Sequence, residues 1–341
     1  MLAAVTGASG HLGANLVRVL LEEGHAVRAL VRDDVRALEG LKVERVRGDV
    51  LDPPSLRPLV SGADAVFHLA GRISIAGDPD GSVRRTNVEG PRHVAAACLT
   101  ARVPRLVHLS SIHAVVARPA GAPVDGSSPP SDEDRGAPAY DRSKAGGERE
   151  VLHAAARGLG VVVLRPTAVL GPHDHKPSRM GRVLLALAHG RMAGLVAGGF
   201  DWVDARDVAR AALIAARAVR PGGPYFLSGH WRTLAEVAQA VFAWGGRRPP
   251  RLVVPLGLAR LAAPFAEAWA RLSSSEPLFT RESLHVIRSF HGVRGADEAA
   301  RDLHFAPRPF EETVRDALDW FRARGWLDRQ ARVGPPPAAR P

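Results

Sequence analysis

One cysteine, two tyrosines and three lysines in 341 residues set the first limits on this chain. Cys98 alone cannot close an internal disulfide, and its Ala-rich helical neighbourhood assigns it to buried packing. No run of 18 apolar residues occurs, so a membrane span is not expected. The chain opens directly on the strand-like Leu2-Ala3-Ala4-Val5, with neither a basic-then-apolar leader nor an Arg/Ser-rich transit pattern; the expected location is cytoplasmic. The formal net charge is +11, yet the cations are scattered, nearly all arginine, and never interleaved with aromatics. A nucleic-acid partner is therefore not expected. With lysine confined to Lys42, Lys144 and Lys176, each one stands out.

What the chain does have is alternation. Short apolar runs at 2–6, 26–31, 43–47, 64–69, 105–109 and 161–164 are separated by stretches of helical spacing at 13–23, 88–101 and 140–157. This pattern predicts an α/β fold: a Rossmann-type, doubly wound parallel sheet over 1–171, continued by about 201–220. The looser remainder, 172–200 and 221–330, predicts a smaller, mostly helical substrate lobe, with 331–341 a disordered tail.

The turn Thr6-Gly7-Ala8-Ser9-Gly10-His11-Leu12-Gly13 joins the first strand to the first helix. Glycines there let the backbone approach a pyrophosphate, and the helix that follows points its N–H groups and positive end at it. Thr6, Gly7, Ser9, Gly10, His11, Leu12 and Gly13 are thus candidate cofactor contacts. Arg32, ending the second strand, stands where a 2′-phosphate would be paired, so NADP is the expected cofactor. If Asp33 takes the ribose hydroxyl instead, NAD is the alternative. Asp49, beside Val50, is placed to meet the adenine amino group, and Leu69, Ala70 and Gly71 follow the fourth strand where the cofactor passes.

Tyr140 and Lys144, at i and i+4, share one face of a helix. A phenol is a poor base at neutrality, and a neighbouring ammonium is expected to lower it toward useful proton transfer. Ser111, at the end of the fifth strand, is the chosen hydroxyl donor to a substrate oxygen, with Ser110 the runner-up.

The turn 6–13, Asn87 in Thr-Asn-Val-Glu-Gly, Ser111, Tyr140-x-x-x-Lys144 and Arg165-Pro166-Thr167 with Gly171-Pro172 together resemble the extended short-chain dehydrogenase/reductase family. The resemblance covers about residues 1–215. It implies a catalytic Ser-Tyr-Lys set with Asn87 in support and Lys144 holding the nicotinamide ribose. It also implies Pro166, with Thr167 beside it, near the nicotinamide, and a homodimer formed through helices 88–101 and 140–157. Within the family, Ala168 stands where sugar-nucleotide members usually carry asparagine. Arg32 and the stretch 202–208 likewise resemble carbonyl reductases of the dihydroflavonol reductase and 3β-hydroxysteroid dehydrogenase kind. The expected function is therefore interconversion of a carbonyl and a secondary alcohol on a small, hydrophobic substrate. A nucleotide-sugar epimerase or dehydratase with tightly held NAD, and a non-catalytic NADP sensor, remain alternatives. The apolar run 256–271 could wall the pocket, be a core helix or touch a membrane surface. His173-Asp174-His175 lacks further ligands at metal spacing and reads as a loop at the pocket mouth, with no metal expected.

Overall fold

The computed structural model describes all residues except 76, 120, 193, 218–221, 247–248, 251, 260, 262–291, 295 and 328–341. Six strands of the first half are β1 (Leu2–Thr6), β2 (Ala26–Val31), β3 (Glu44–Arg47), β4 (Ala65–His68), β5 (Arg105–Leu109) and β6 (Gly160–Pro166). They are followed by β7 (Ala168–Leu170), β8 (Leu195–Val196), β9 (Gly199–Asp204), β10 (Gly222–Leu227), β11 (His230–Thr233) and β12 (Val253–Val254). The main sheet has seven strands in the order β10-β6-β5-β4-β1-β2-β3, and every pairing in it is parallel.

A parallel sheet buried on both faces needs apolar residues in both strand phases, which is how β1, β4, β5 and β6 read. One phase, with Ala3, Val5, Phe67, Val107, Leu109 and Leu164, packs against α1 (His11–Glu22), α6 (Ala205–Arg217) and α8 (Ala296–Leu303). The other, with Ala4, Val66, Leu106, Val161 and Val163, meets α2 (Pro53–Val60), α3 (Gly90–Ala101) and α4 (Ala139–Ala155). Phe67 and Leu106 are fully buried, and each such side chain contributes about 2 kcal/mol. Cys98 is buried in the second core, where burial pushes its thiol up to about 12 and leaves it inert.

A third core belongs to the lobe. There α5 (Arg179–Ala188), α7 (Leu234–Trp244) and α9 (Phe310–Ala323) close over Trp202, with Leu184, Val237 and Leu318 at the centre. The starts of two of these helices are specified locally. Ser178 Oγ accepts the Gly181 N–H, and Thr233 with Glu236 forms a reciprocal cap. The small sheet β11-β9-β7 links this lobe to the first layer.

Three features differ from the sequence expectation. Helix α2 went unread; its signal was Asp52 followed by Pro53 and Pro54 in the first turn, a start that carries little hydrophobic periodicity. The lobe was expected to resume at 221, but β10 pairs with β6 in the main sheet and α8 packs in the first core. Conversely β9, expected in the sheet domain, belongs to the small sheet, because Trp202 is buried in the lobe core. Most of the apolar run 256–271 and the whole tail 331–341 lie outside the described residues. Among the described residues, no helix is long and apolar enough to cross a membrane.

Candidate active site

In the strand order, β2 and β3 lie to one side of β1, while β4, β5, β6 and β10 lie to the other. The helices leave in opposite directions at that point, which opens a crevice at the carboxyl ends of β1 and β4. The Thr6–Gly13 turn sits there and demands glycine. Gly7 has φ +69, and a Cβ on it would lie 2.6 Å from Ala70 N. A Cβ on Gly13 would lie 2.1 Å from Gly7 O. Gly10 is the N-cap residue of α1, with Ser9 half-buried before it and Leu12 half-buried in its first turn. Such a cradle, closed to any side chain and followed by a helix N-terminus, fits a dinucleotide pyrophosphate. Thr6 is buried and braces the next loop: its Oγ1 lies 2.7 Å from His68 Nδ1 and accepts the Ala70 N–H at 3.3 Å. Leu69 and Gly71 line the cavity that begins here. His11 also lines this cavity, with its ring Nε2 3.1 Å from Pro172 O.

At the adenosine end, Arg32 is exposed and lies 3.4 Å from Asp49, so the structure brings these two expected contacts together. Asp33 is paired instead with Arg47 at 3.1 Å. Val50 is turned into the second core beside Gly90, which leaves its backbone and not its side chain for a ligand.

At the other end, Ser111 closes β5 and Tyr140 opens α4. Both line a cavity of about 430 Å3 with Pro166, Thr167, Ile112 and Phe200. Ser111 Oγ accepts the His113 N–H at 3.2 Å, which caps a short helical turn and fixes the hydroxyl. Burial raises the Tyr140 phenol above its ordinary range, the Ser111 hydrogen bond opposes this, and the Asp141 charge adds to it. The expectation was a phenol lowered by Lys144; here the phenol is raised, and burial is the largest cause. Lys144 is itself buried and donates from Nζ to Leu109 O at 3.0 Å; burial lowers it to about 8 against the Glu148 charge. Ser110 is also buried beside this site.

Asn87 lies in a π-helical turn, Arg85–Glu89, that runs into α3. Its amide accepts from Arg72 N and donates to Arg72 O, both at 2.8 Å, and to Ser143 Oγ at 2.9 Å. It therefore pins the loop after β4 to the helix carrying Tyr140 and Lys144. Thr167 Oγ1 donates to Asp201 at 2.7 Å, which ties the end of β6 to β9. Sequence reasoning missed Asp201, the His113–Asp141 pair at 3.3 Å and the buried Glu148–Arg165 pair at 2.6 Å. Only the last had a sequence signal, a glutamate one turn beyond Lys144. The loop after Pro172 faces both ways. Asp174 and Lys176 line the cavity, whereas His173 and His175 meet the Trp320 ring edge-on at 6.0 and 5.0 Å.

Comparison with known proteins agrees with this geometry. The family model described as NAD dependent epimerase/dehydratase family matches residues 3–227. The chain is 37% identical over 335 residues to sterol demethylase protein B of Methylococcus capsulatus, covering 95% of this chain and 99% of that protein. It is 33% identical to a 2-alkyl-3-oxoalkanoate reductase of Stenotrophomonas maltophilia, covering 91% and 96% of the two chains. The crystal structure of gox2253 superposes with a TM-score of 0.83 at 33% identity, covering 96% and 99%. The chain belongs to the NAD dependent epimerase/dehydratase family, the extended short-chain dehydrogenases/reductases.

Proposed function

We propose that the protein reduces a ketone on a predominantly apolar substrate to a secondary alcohol, with NADPH as reductant. The observation that carries this reading is the meeting of Ser111 and Tyr140 in one cavity beyond the glycine cradle. A phenol raised by burial holds its proton until a stronger base, a nascent alkoxide, accepts it. When bound, the nicotinamide supplies the hydride to the carbonyl carbon. Ser111 Oγ–H donates to the substrate oxygen, Tyr140 passes its proton to the same oxygen, and Lys144, one turn further on, offers an ammonium to the resulting phenolate. Its second role is to hold ribose hydroxyls. Asn87 keeps the helix and the β4 loop in register for both. Ile73, Ile112, Val169, Met180 and Phe200 supply the apolar wall. The similarity to a 2-alkyl-3-oxoalkanoate reductase supports a ketone on an aliphatic body.

Arg32 favours NADPH, because a 2′-phosphate can take over a guanidinium held by an exposed pair to Asp49. A cytoplasmic setting goes with this reading, since an enzyme that consumes NADPH needs a compartment that regenerates it. A homodimer through α3 and α4 would cover Leu152, which is 43% exposed on the outer face of α4. The test is direct: NADPH absorbance falls when the protein meets long-chain ketones or 3-oxo acids. Co-purified NAD with turnover of nucleotide sugars would overturn the reading in favour of an epimerase. Tight NADPH binding with no turnover of any carbonyl would favour a sensor.

A further inference from the structure

Lys144 and Glu148 lie one turn apart on α4, 7% and 5% exposed respectively. From β4 and β5, His68 and His108 stack at 5.3 Å on the face of the sheet beneath α4. Both are neutral: burial, with the Lys144 charge adding to it, pushes His68 down to about 3 and His108 well below its ordinary value. From α4 itself Tyr140 contributes a neutral phenol, and Asp141, a buried carboxylate three residues before Lys144, faces His113 at 3.3 Å. From β6, Arg165 is a second buried cation, its guanidinium over the Phe226 ring at 5.3 Å. The carboxylate whose charge acts on Lys144 is that of Glu148. It holds Arg165 in a two-pronged fork, with Nε donating to Oε1 at 2.9 Å and Nη2 to Oε2 at 2.6 Å. Burial favours a neutral Lys144 amine, and the Glu148 charge works against it.

Resting on the reading of Lys144 as the ammonium partner of Tyr140, we propose that Glu148 is a positioning residue for that lysine. Its carboxylate, held by Arg165, is the counter-charge that keeps Lys144 an ammonium inside the protein. Arg165 fixes where that charge sits, and Phe226 fixes Arg165. The set Lys144–Glu148–Arg165 thus couples the catalytic helix to β6, the strand that ends at Pro166 beside the cavity.

The scarcity of lysine makes the test clean. Protein carrying carbon-13 at the lysine ε position gives three resonances, and the one lost in Lys144→Arg is Lys144. In the wild type its titration midpoint lies near 8. In Glu148→Gln the midpoint falls by about one pH unit or more, and Glu148→Asp restores part of the difference. The alkaline limb of kcat/KM moves with it. Glu148→Gln leaves Arg165 buried and unpaired; if that variant does not fold, Glu148→Gln with Arg165→Met removes both charges and gives a smaller shift in the same downward direction, because the Arg165 cation is lost as well. A midpoint unchanged or raised in a folded variant overturns the proposal. If the wild type reduces no carbonyl, the reading of the previous subsection fails, while the resonance still decides what Glu148 does.

Discussion

Tyr140, Lys144 and Arg32 each support a separate expectation. Tyr140→Phe removes the transferable proton together with the Ser111 hydrogen bond, so turnover should fall by about 10²- to 10⁴-fold. NADPH binding, followed by nicotinamide fluorescence, should remain; surviving turnover would mean that the proton comes from elsewhere. Lys144, lowered to about 8, gives the pH dependence. Below that value it is an ammonium and above it an amine, while Tyr140 stays protonated throughout because burial raises it. Reduction should therefore be flat near neutrality and fall as pH rises through about 8. A profile that rises across that region would refute the assignment. Arg32→Ala should cut the preference for NADPH over NADH about tenfold, read from the two Kd values. Tyr140, Lys144 and Ser111 were legible because their types and spacing are chemically specific. The sense of the Tyr140 shift was not, because burial is a property of the folded chain.

At the scale of elements, the site depends on how closely α4 approaches the π-helical turn. A Cβ on Gly147 would lie 2.2 Å from Asn87 O, so the helix can come this near only with glycine there. Gly147→Ala should push the two apart, break the Asn87–Ser143 hydrogen bond and cost about 1–3 kcal/mol. A lowered Tm together with a lowered kcat/KM is the expected result. A variant with unchanged Tm would show that α4 can shift freely. In the sequence, Gly146-Gly147 reads only as a weak stretch of helix. Its purpose depends on what lies across from it. The glycines of the phosphate turn were readable because their partners, a strand and a helix, are adjacent in the chain.

For the whole molecule, the junction between sheet domain and lobe is ionic. Arg308, ahead of α9, donates to Asp207 of α6 at 2.7 Å, and Arg206 reaches both Asp204 and Asp316 at 2.7 Å. Arg308→Met strands buried carboxylates and should cost about 3 kcal/mol, measured by urea unfolding. Asp204 adds a pH dependence. Burial alone would raise it, but the Arg206 hydrogen bonds and charge and the Arg308 charge outweigh burial and hold it below its ordinary value. A carboxyl lower in the folded state than in the unfolded one stabilises above the ordinary carboxylate range. That contribution is lost as pH falls through the lower folded value, so acid should loosen this junction. The sequence suggests two lobes, but it does not show that the chain crosses between them repeatedly through β9, β10, α8 and α9.

By itself the sequence determined the parallel sheet and the glycine cradle and singled out the candidate Ser-Tyr-Lys set, because periodicity, turn chemistry and motif spacing are local quantities. Tertiary structure alone decided the rest. It raised the phenol, made neutral histidines of His68 and His108, and placed Glu148 against Arg165 beside Lys144. Those outcomes depend on desolvation and on partners from other strands, and both exist only once the chain has closed around them.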